Sequence, residues 1–178
     1  MDTPNFTQPV APTTKAIGVR YGLLTGLAGI AFSLVLNLTK MQDSDIKWLG
    51  MLITILGLWL AHVEYKKQNG GFMEYGQGLS IGMVLSVVSG LLNGIFMYAY
   101  TAFVDPTLMA GALEKSRAQM EAKGNMSEEQ IEQGLAMASK FMSPGALFII
   151  TIIFSLIMGL ILSLILSAIT KNSRPEFE

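Results

Sequence analysis

Cysteine is absent from all 178 residues. That excludes disulfides, zinc–thiolate and iron–sulfur sites, a thiol nucleophile and the acylated cysteine of a lipoprotein. Charge is scarce as well: 14% of residues are charged against 51% hydrophobic, with a mean hydropathy of +0.48, so lipid rather than water fits as the solvent. A net charge of -1 leaves no basic surplus to neutralise phosphates, which argues against nucleic acid as a partner. His62 is the single histidine, and no second His or Cys completes a metal site around it. Serines and carboxylates do not cluster as nucleophile, base and orienting group, so the sequence points to no catalytic residues, no enzyme, no cofactor and no metal.

What the chain has instead is long uncharged runs. Nineteen residues separate Arg20 from Lys40, 16 separate Lys47 from Glu64, 30 separate Glu74 from Asp105 and 30 separate Lys140 from Lys171. A hydrocarbon core of about 30 Å needs roughly 20 helical residues, so the first, third and fourth runs span directly. The second is short and spans only if Trp48 and Tyr65 sit at the interfaces while Lys47, Lys66 and Lys67 snorkel outward. The expected fold is all-α, an integral membrane four-helix bundle with an extramembrane helical hairpin between spans three and four. Its parts are a polar tail over 1–16, spans near 17–39, 47–65, 77–104 and 146–170, a helical loop over 105–145 and a second tail over 171–178. The polar, Pro-containing stretch 1–14 and the lack of a small-residue cleavage site after the first run predict that the first span is retained.

Orientation is weakly written. Lys15, Arg20, Lys66, Lys67, Lys171 and Arg174 fall on the side of the termini, and Lys40, Lys47, Lys115, Arg117, Lys123 and Lys140 on the other. The first six all lie close to span ends, where the positive-inside bias acts, which places both termini in the cytoplasm.

Small residues recur at every fourth position. Gly78, Gly82, Ser86, Gly90 and Gly94 do so in the third span, Ser155, Gly159, Ser163 and Ser167 in the fourth, and Gly18, Gly22 and Gly26 in the first. Helices in lipid associate through close backbone approach, so these stripes read as packing surfaces within the chain, with a homo-oligomer or a membrane-protein partner as the alternative use. Asn93 is the candidate intramembrane polar site, expected to hydrogen-bond a neighbouring helix or to line a substrate path. His62 reads as an interfacial hydrogen-bonding residue, and Asn37 as a helix end.

Asp105-Pro106 is expected to stop the third helix. Leu108, Met109, Leu113 and Met120 then share one face, Gly124-Asn125 breaks the helix, and Ser127-Glu128-Glu129-Gln130 forms a capping box for another that groups Ile131, Leu135, Ala138 and Phe141. The acidic residues Glu114, Glu121, Glu128, Glu129 and Glu132 form a solvated outer face or a partner surface. Arg20-Tyr21-Gly22 and Glu74-Tyr75-Gly76 open spans one and three alike, a faint echo of the parallel repeats found in transporters.

The run from Tyr65-Lys66-Lys67-Gln68-Asn69-Gly70-Gly71 to Phe72-Met73-Glu74-Tyr75-Gly76-Gln77, the Asp105-Pro106 pair, Ser127-Glu128-Glu129-Gln130-Ile131-Glu132 and Lys140-Phe141-Met142-Ser143-Pro144 together resemble the bacterial family called domain of unknown function 4199. The resemblance runs from about Lys15 to Thr170 and implies a four-span bacterial protein, expected in the cytoplasmic (inner) membrane, with no catalytic residues to carry over. Gly70 and Gly71 are expected to shape the turn between spans two and three, where positive φ is needed. Function divides between a non-enzymatic component that packs with or binds a partner in the lipid bilayer and a small transporter or channel acting as an oligomer.

Overall fold

In a computed structural model of the chain, which describes residues 13–41 and 44–174, six helices follow one another. They are α1 (Thr14–Leu38), α2 (Leu49–Gln68), α3 (Tyr75–Ala99), α4 (Thr107–Ala122), α5 (Glu128–Phe141) and α6 (Pro144–Thr170). Four of them, α1, α2, α3 and α6, are long and apolar enough to cross a membrane. The short second run reaches span length because a 3₁₀ turn at Asp45–Trp48, capped by the Ser44 hydroxyl, adds its length ahead of α2. At the end of α3 a π-helical turn over Tyr100–Val104 extends the helix to Asp105. The outward faces stay apolar, as lipid requires: Ile149, Ile153, Phe154 and Ile157 of α6 are each more than half exposed.

Helix ends are set by local chemistry. Thr13, Ser127 and Ser143 cap α1, α5 and α6 by accepting an N–H in the first turn, and at Ser127 and Glu74 the capping box is complete. At the end of α2 the Gly71 N–H reaches the Lys66 carbonyl at 2.7 Å, with Gly70 at φ +68° and Gly71 at +91°. This left-handed cap suits glycine. The same cap ends α1, where the Met41 N–H reaches the Leu36 carbonyl at 2.9 Å, but the left-handed residue there is Lys40 at φ +56°. A side chain in that region costs about 1 kcal/mol or more.

α3 is the axis of the bundle. It runs antiparallel to α6, and small residues meet in a fixed register: a Cβ built on Gly78 would strike Ser167, one on Gly82 would strike Ser163, one on Gly159 would strike Ser86, and one on Gly90 would strike Ser155. Each step of four along α3 is matched by a step of four back along α6, and every contact sets a glycine against a serine. α1 runs parallel to α3 and offers its glycines differently, Gly18 to Val84, Gly22 to Val88 and Gly26 to Leu92, with a constant offset that also pairs Thr14 with Ser80. The stripe on α1 is therefore a groove for branched side chains of α3.

α2 joins this frame by one half only. Its buried residues, Leu58, Ala61, His62 and Tyr65, all lie toward its C-terminus and pack with Ile17, Ile81, Leu85, Met73 and Leu162 into the core. Higher up, Gly57 lies against the Thr25 side chain of α1.

The hairpin of α4 and α5 is polar and thinly packed. Ile131 is buried, Leu108, Met109, Leu113, Met120, Leu135 and Ala138 are half-buried, and the expected face fails at Phe141, which is 59% exposed because α5 ends there as the chain turns into α6. Gly134 abuts Met120, and Arg117 bridges Glu121 and Glu128 at 3.0 Å each, exposed pairs that contribute little.

If glycine-to-serine complementarity fixes the register, Gly82→Ser sets serine against Ser163 and lowers stability by about 1–3 kcal/mol, the usual cost of overpacking. Adding Ser163→Gly restores most of it, a coupling to be read from unfolding of the purified protein in detergent as a double-mutant cycle.

Candidate functional site

Two polar features lie inside the bundle, at different depths. The first is a clasp at the end that carries the termini. His62 hydrogen-bonds as its place near the charged end of the span suggested, and it is also fully buried, because the stripe of α2 on which it sits faces α3 and α6. Its Nε2 lies 3.1 Å from the Gly78 carbonyl and its Nδ1 2.8 Å from the Thr170 hydroxyl, so one ring joins three helices. A carbonyl only accepts, so Nε2 carries a proton toward Gly78; the Thr170 hydroxyl, which donates to the Leu166 carbonyl at 2.7 Å, is the polar partner of Nδ1. The Lys66 ammonium donates to the Thr170 carbonyl at 3.2 Å. Beyond it Met73 and Asn172 exchange both backbone hydrogen bonds at 2.9 and 2.8 Å, and the Asn172 amide donates to the Gly71 carbonyl at 3.0 Å. Arg174 lies over the Phe72 ring at 5.5 Å.

The second feature is a cavity of about 460 Å³ above that clasp, between the N-terminal half of α2 and the frame of α1, α3 and α6. It exists because no residue of α2 ahead of Leu58 is fully buried, and the glycines there, Gly50 and Gly57, touch α1 alone. Its lining extends from Thr25 to Leu36 along α1, a depth of about 16 Å at 1.5 Å per residue, and reaches Lys47 and Trp48 at the end of the bundle away from the termini. Phe32, Met51, Phe154 and Met158 give it apolar walls, and Ser33, Thr54, Ser89, Asn93 and Ser155 a polar strip. A volume of this size falls within the range of small-molecule sites.

Asn93 faces this cavity beside Gly29. Its amide does not cross to a neighbouring helix, as its position suggested; Nδ2 donates to the Ser89 carbonyl one turn earlier at 2.8 Å, the back-bonding that short polar side chains adopt in helices. The carbonyl oxygen Oδ1 accepts no hydrogen bond from the described residues. Asn37 too donates its amide back along its own helix, to the Ser33 carbonyl at 2.9 Å, one residue before α1 ends. Two further hydroxyls, Thr25 Oγ1 and Ser167 Oγ, are buried without a partner against Gly57 and Gly78.

The residues singled out in the sequence therefore separate into two groups. Gly18, Gly22, Gly26, Gly78, Gly82, Gly90, Gly94 and Ser163 lie in the helix seams, whereas Ser86, Ser155 and Gly159 serve the α3–α6 seam and the cavity wall together. Thr25, Ser33, Thr54 and Ser89 were not singled out; isolated in-span hydroxyls were the only signal for them. Among the described residues no group of three or more His, Asp or Glu is placed to hold a metal ion.

Residues 20–172 match the model of a family described as Protein of unknown function (DUF4199), and the chain belongs to that family. No curated protein and no solved structure matches it.

The His62–Thr170 contact is testable as a pair. His62→Ala and Thr170→Val each destabilise the bundle, and the double variant loses less than their sum by about 0.6–2 kcal/mol, the range for hydrogen bonds between membrane helices. Additive losses in detergent unfolding would show that the two side chains do not interact.

Proposed function

We propose that this multi-pass member of the DUF4199 family is a non-enzymatic membrane component that takes up a small molecule in the cavity beside Asn93, as a carrier or a small transporter. The cavity is the observation that supports this reading: it reaches mid-bundle, and its polar strip offers hydrogen bonds where a packed bundle would have none. Several separate hydroxyls and one amide line it, which suits orienting a bound molecule more than attacking it. With the basic residues Lys66, Lys67, Lys171 and Arg174 on the cytoplasmic side, both termini and the His62 clasp face the cytoplasm of a bacterial inner membrane. The cavity then opens toward the outer leaflet at Lys47 and Trp48, and the clasp closes its inner end.

A second reading, binding of a membrane-protein partner or a further copy of the chain, draws on the α4–α5 hairpin. Met137 and Phe141 of α5 are 66% and 59% exposed on that hairpin, beside an acidic face.

The native absence of cysteine makes a direct test available. With Asn93→Cys as the only thiol, a small water-soluble maleimide labels the protein in intact membranes at a rate approaching that of Asn125→Cys in the α4–α5 turn, while Ala61→Cys, fully buried, stays unlabelled. An Asn93→Cys protein as inert as Ala61→Cys would mean that the cavity is sealed, and the partner-binding reading would take precedence.

A further inference from the structure

We infer that the cavity's ligand is a single-chain acidic amphiphile bearing a hydrogen-bond donor part-way along its chain. The inference rests on the uptake reading above and names the chemistry of the molecule taken up.

Three observations converge on it. The lining runs about 16 Å along α1, half of a hydrocarbon core of about 30 Å, so the space is one leaflet deep and suits a chain lying along the helices. The lining is largely apolar, with Phe32, Leu36 and Met51 toward the mouth and Met158 deeper, and a chain of methylenes suits such a space. At the mouth stands Lys47, whose ammonium forms no ion pair with any described residue. A cation at the interface end of an apolar slot complements an anionic head whose tail points inward.

A further element sits deeper. From the level of Leu36 at the mouth to that of Gly29 beside Asn93 is seven residues of α1, about 10 Å. There Asn93 Oδ1 is an acceptor with no donor, because the amide's other end is committed to the Ser89 carbonyl. An unbroken hydrocarbon chain laid over it would cover that oxygen without satisfying it, whereas a hydroxyl or an N–H at this depth supplies the missing donor. Two anchors at fixed separation, one charged and one neutral, thus select head and mid-chain together.

The test uses purified protein in nanodiscs of zwitterionic phosphatidylcholine and four probes: 12-hydroxyoctadecanoate, octadecanoate, the uncharged 1,12-octadecanediol, and a two-chain phosphatidate. The hydroxy acid is expected to bind at one per chain. Removing the acid (the diol) weakens binding about tenfold or more, and Lys47→Gln erases that difference. Removing the hydroxyl (octadecanoate) weakens it about three- to tenfold, and Asn93→Leu erases that one. Phosphatidate competes poorly, since a second chain has no place in the slot. Lys47 is exposed, so Lys47→Gln folds as the parent does, and Lys47→Arg, which keeps the charge, retains the preference for acid and controls for any local disturbance. The inference is overturned if the diol binds the parent as well as the hydroxy acid does, if the hydroxyl makes no difference, or if phosphatidate competes equally. Should no probe bind while Asn93→Cys is labelled by maleimide, the cavity takes other chemistry and this inference alone fails. Should labelling fail as well, the uptake reading fails with it.

Discussion

Everything in this bundle depends on how closely α3 can approach its neighbours. In a bilayer the tails outside a helix are as apolar as its side chains, so helices gain little by hiding leucine from lipid and must instead bring backbones together. α3 does this on two sides by different means. Against α6 it exchanges glycine for serine at successive turns, and against α1 it inserts Val84, Val88 and Leu92 into glycine gaps. Both contacts keep one register over several turns, which fixes three helices as a rigid frame before α2 or the hairpin contributes anything.

The cavity follows from what that frame leaves over. α2 has no comparable stripe of small residues facing α3 along its full length; it is held at one end by Leu58, Ala61, His62 and Tyr65, and further along only against α1, by Gly57 at Thr25 and Gly50 at Phe32. The buried histidine is central here, because its two ring nitrogens reach α3 and α6 at once, which no aliphatic side chain in its place could do. Closure at one end and splaying at the other are thus two results of the same uneven distribution of contacts. The hydroxyls along the splayed part turn the space polar on one side. Buried against lipid-like walls, such groups persist only where something satisfies them, either their own helix, as at Thr54 and Asn93, or a bound molecule.

Architecture was legible in the sequence because lipid imposes length and charge rules on every span, and the hairpin because Asp105-Pro106, Gly124-Asn125 and the Ser127 capping box are local signals. The four-residue stripes marked surfaces but not their partners: nothing in Gly18, Gly22 and Gly26 says that they receive branched side chains while Gly78 and Gly82 receive serines. The hydrogen-bonding role of His62 was legible, and its burial could be read from Leu58, Ala61, His62 and Tyr65 at the spacing of a single helical face, but nothing in the sequence named Gly78 and Thr170 as its partners. The turn at Lys40 carried no glycine to announce its left-handed backbone. The cavity was the least visible element, since it is built from the lack of packing, and a lack of packing leaves no periodicity behind.

The separation of frame from cavity bears on how such a protein can diversify. Phe32, Leu36 and Met51 touch the cavity without taking part in the glycine–serine seam, so each can be exchanged for a side chain of another size without disturbing helix register. Ser86, Ser155 and Gly159 do not share that freedom, because the face that shapes the cavity also holds α3 to α6. Side-chain size is therefore free to vary on the α1 and α2 walls, while on the α3–α6 wall every change in shape is also a change in the seam.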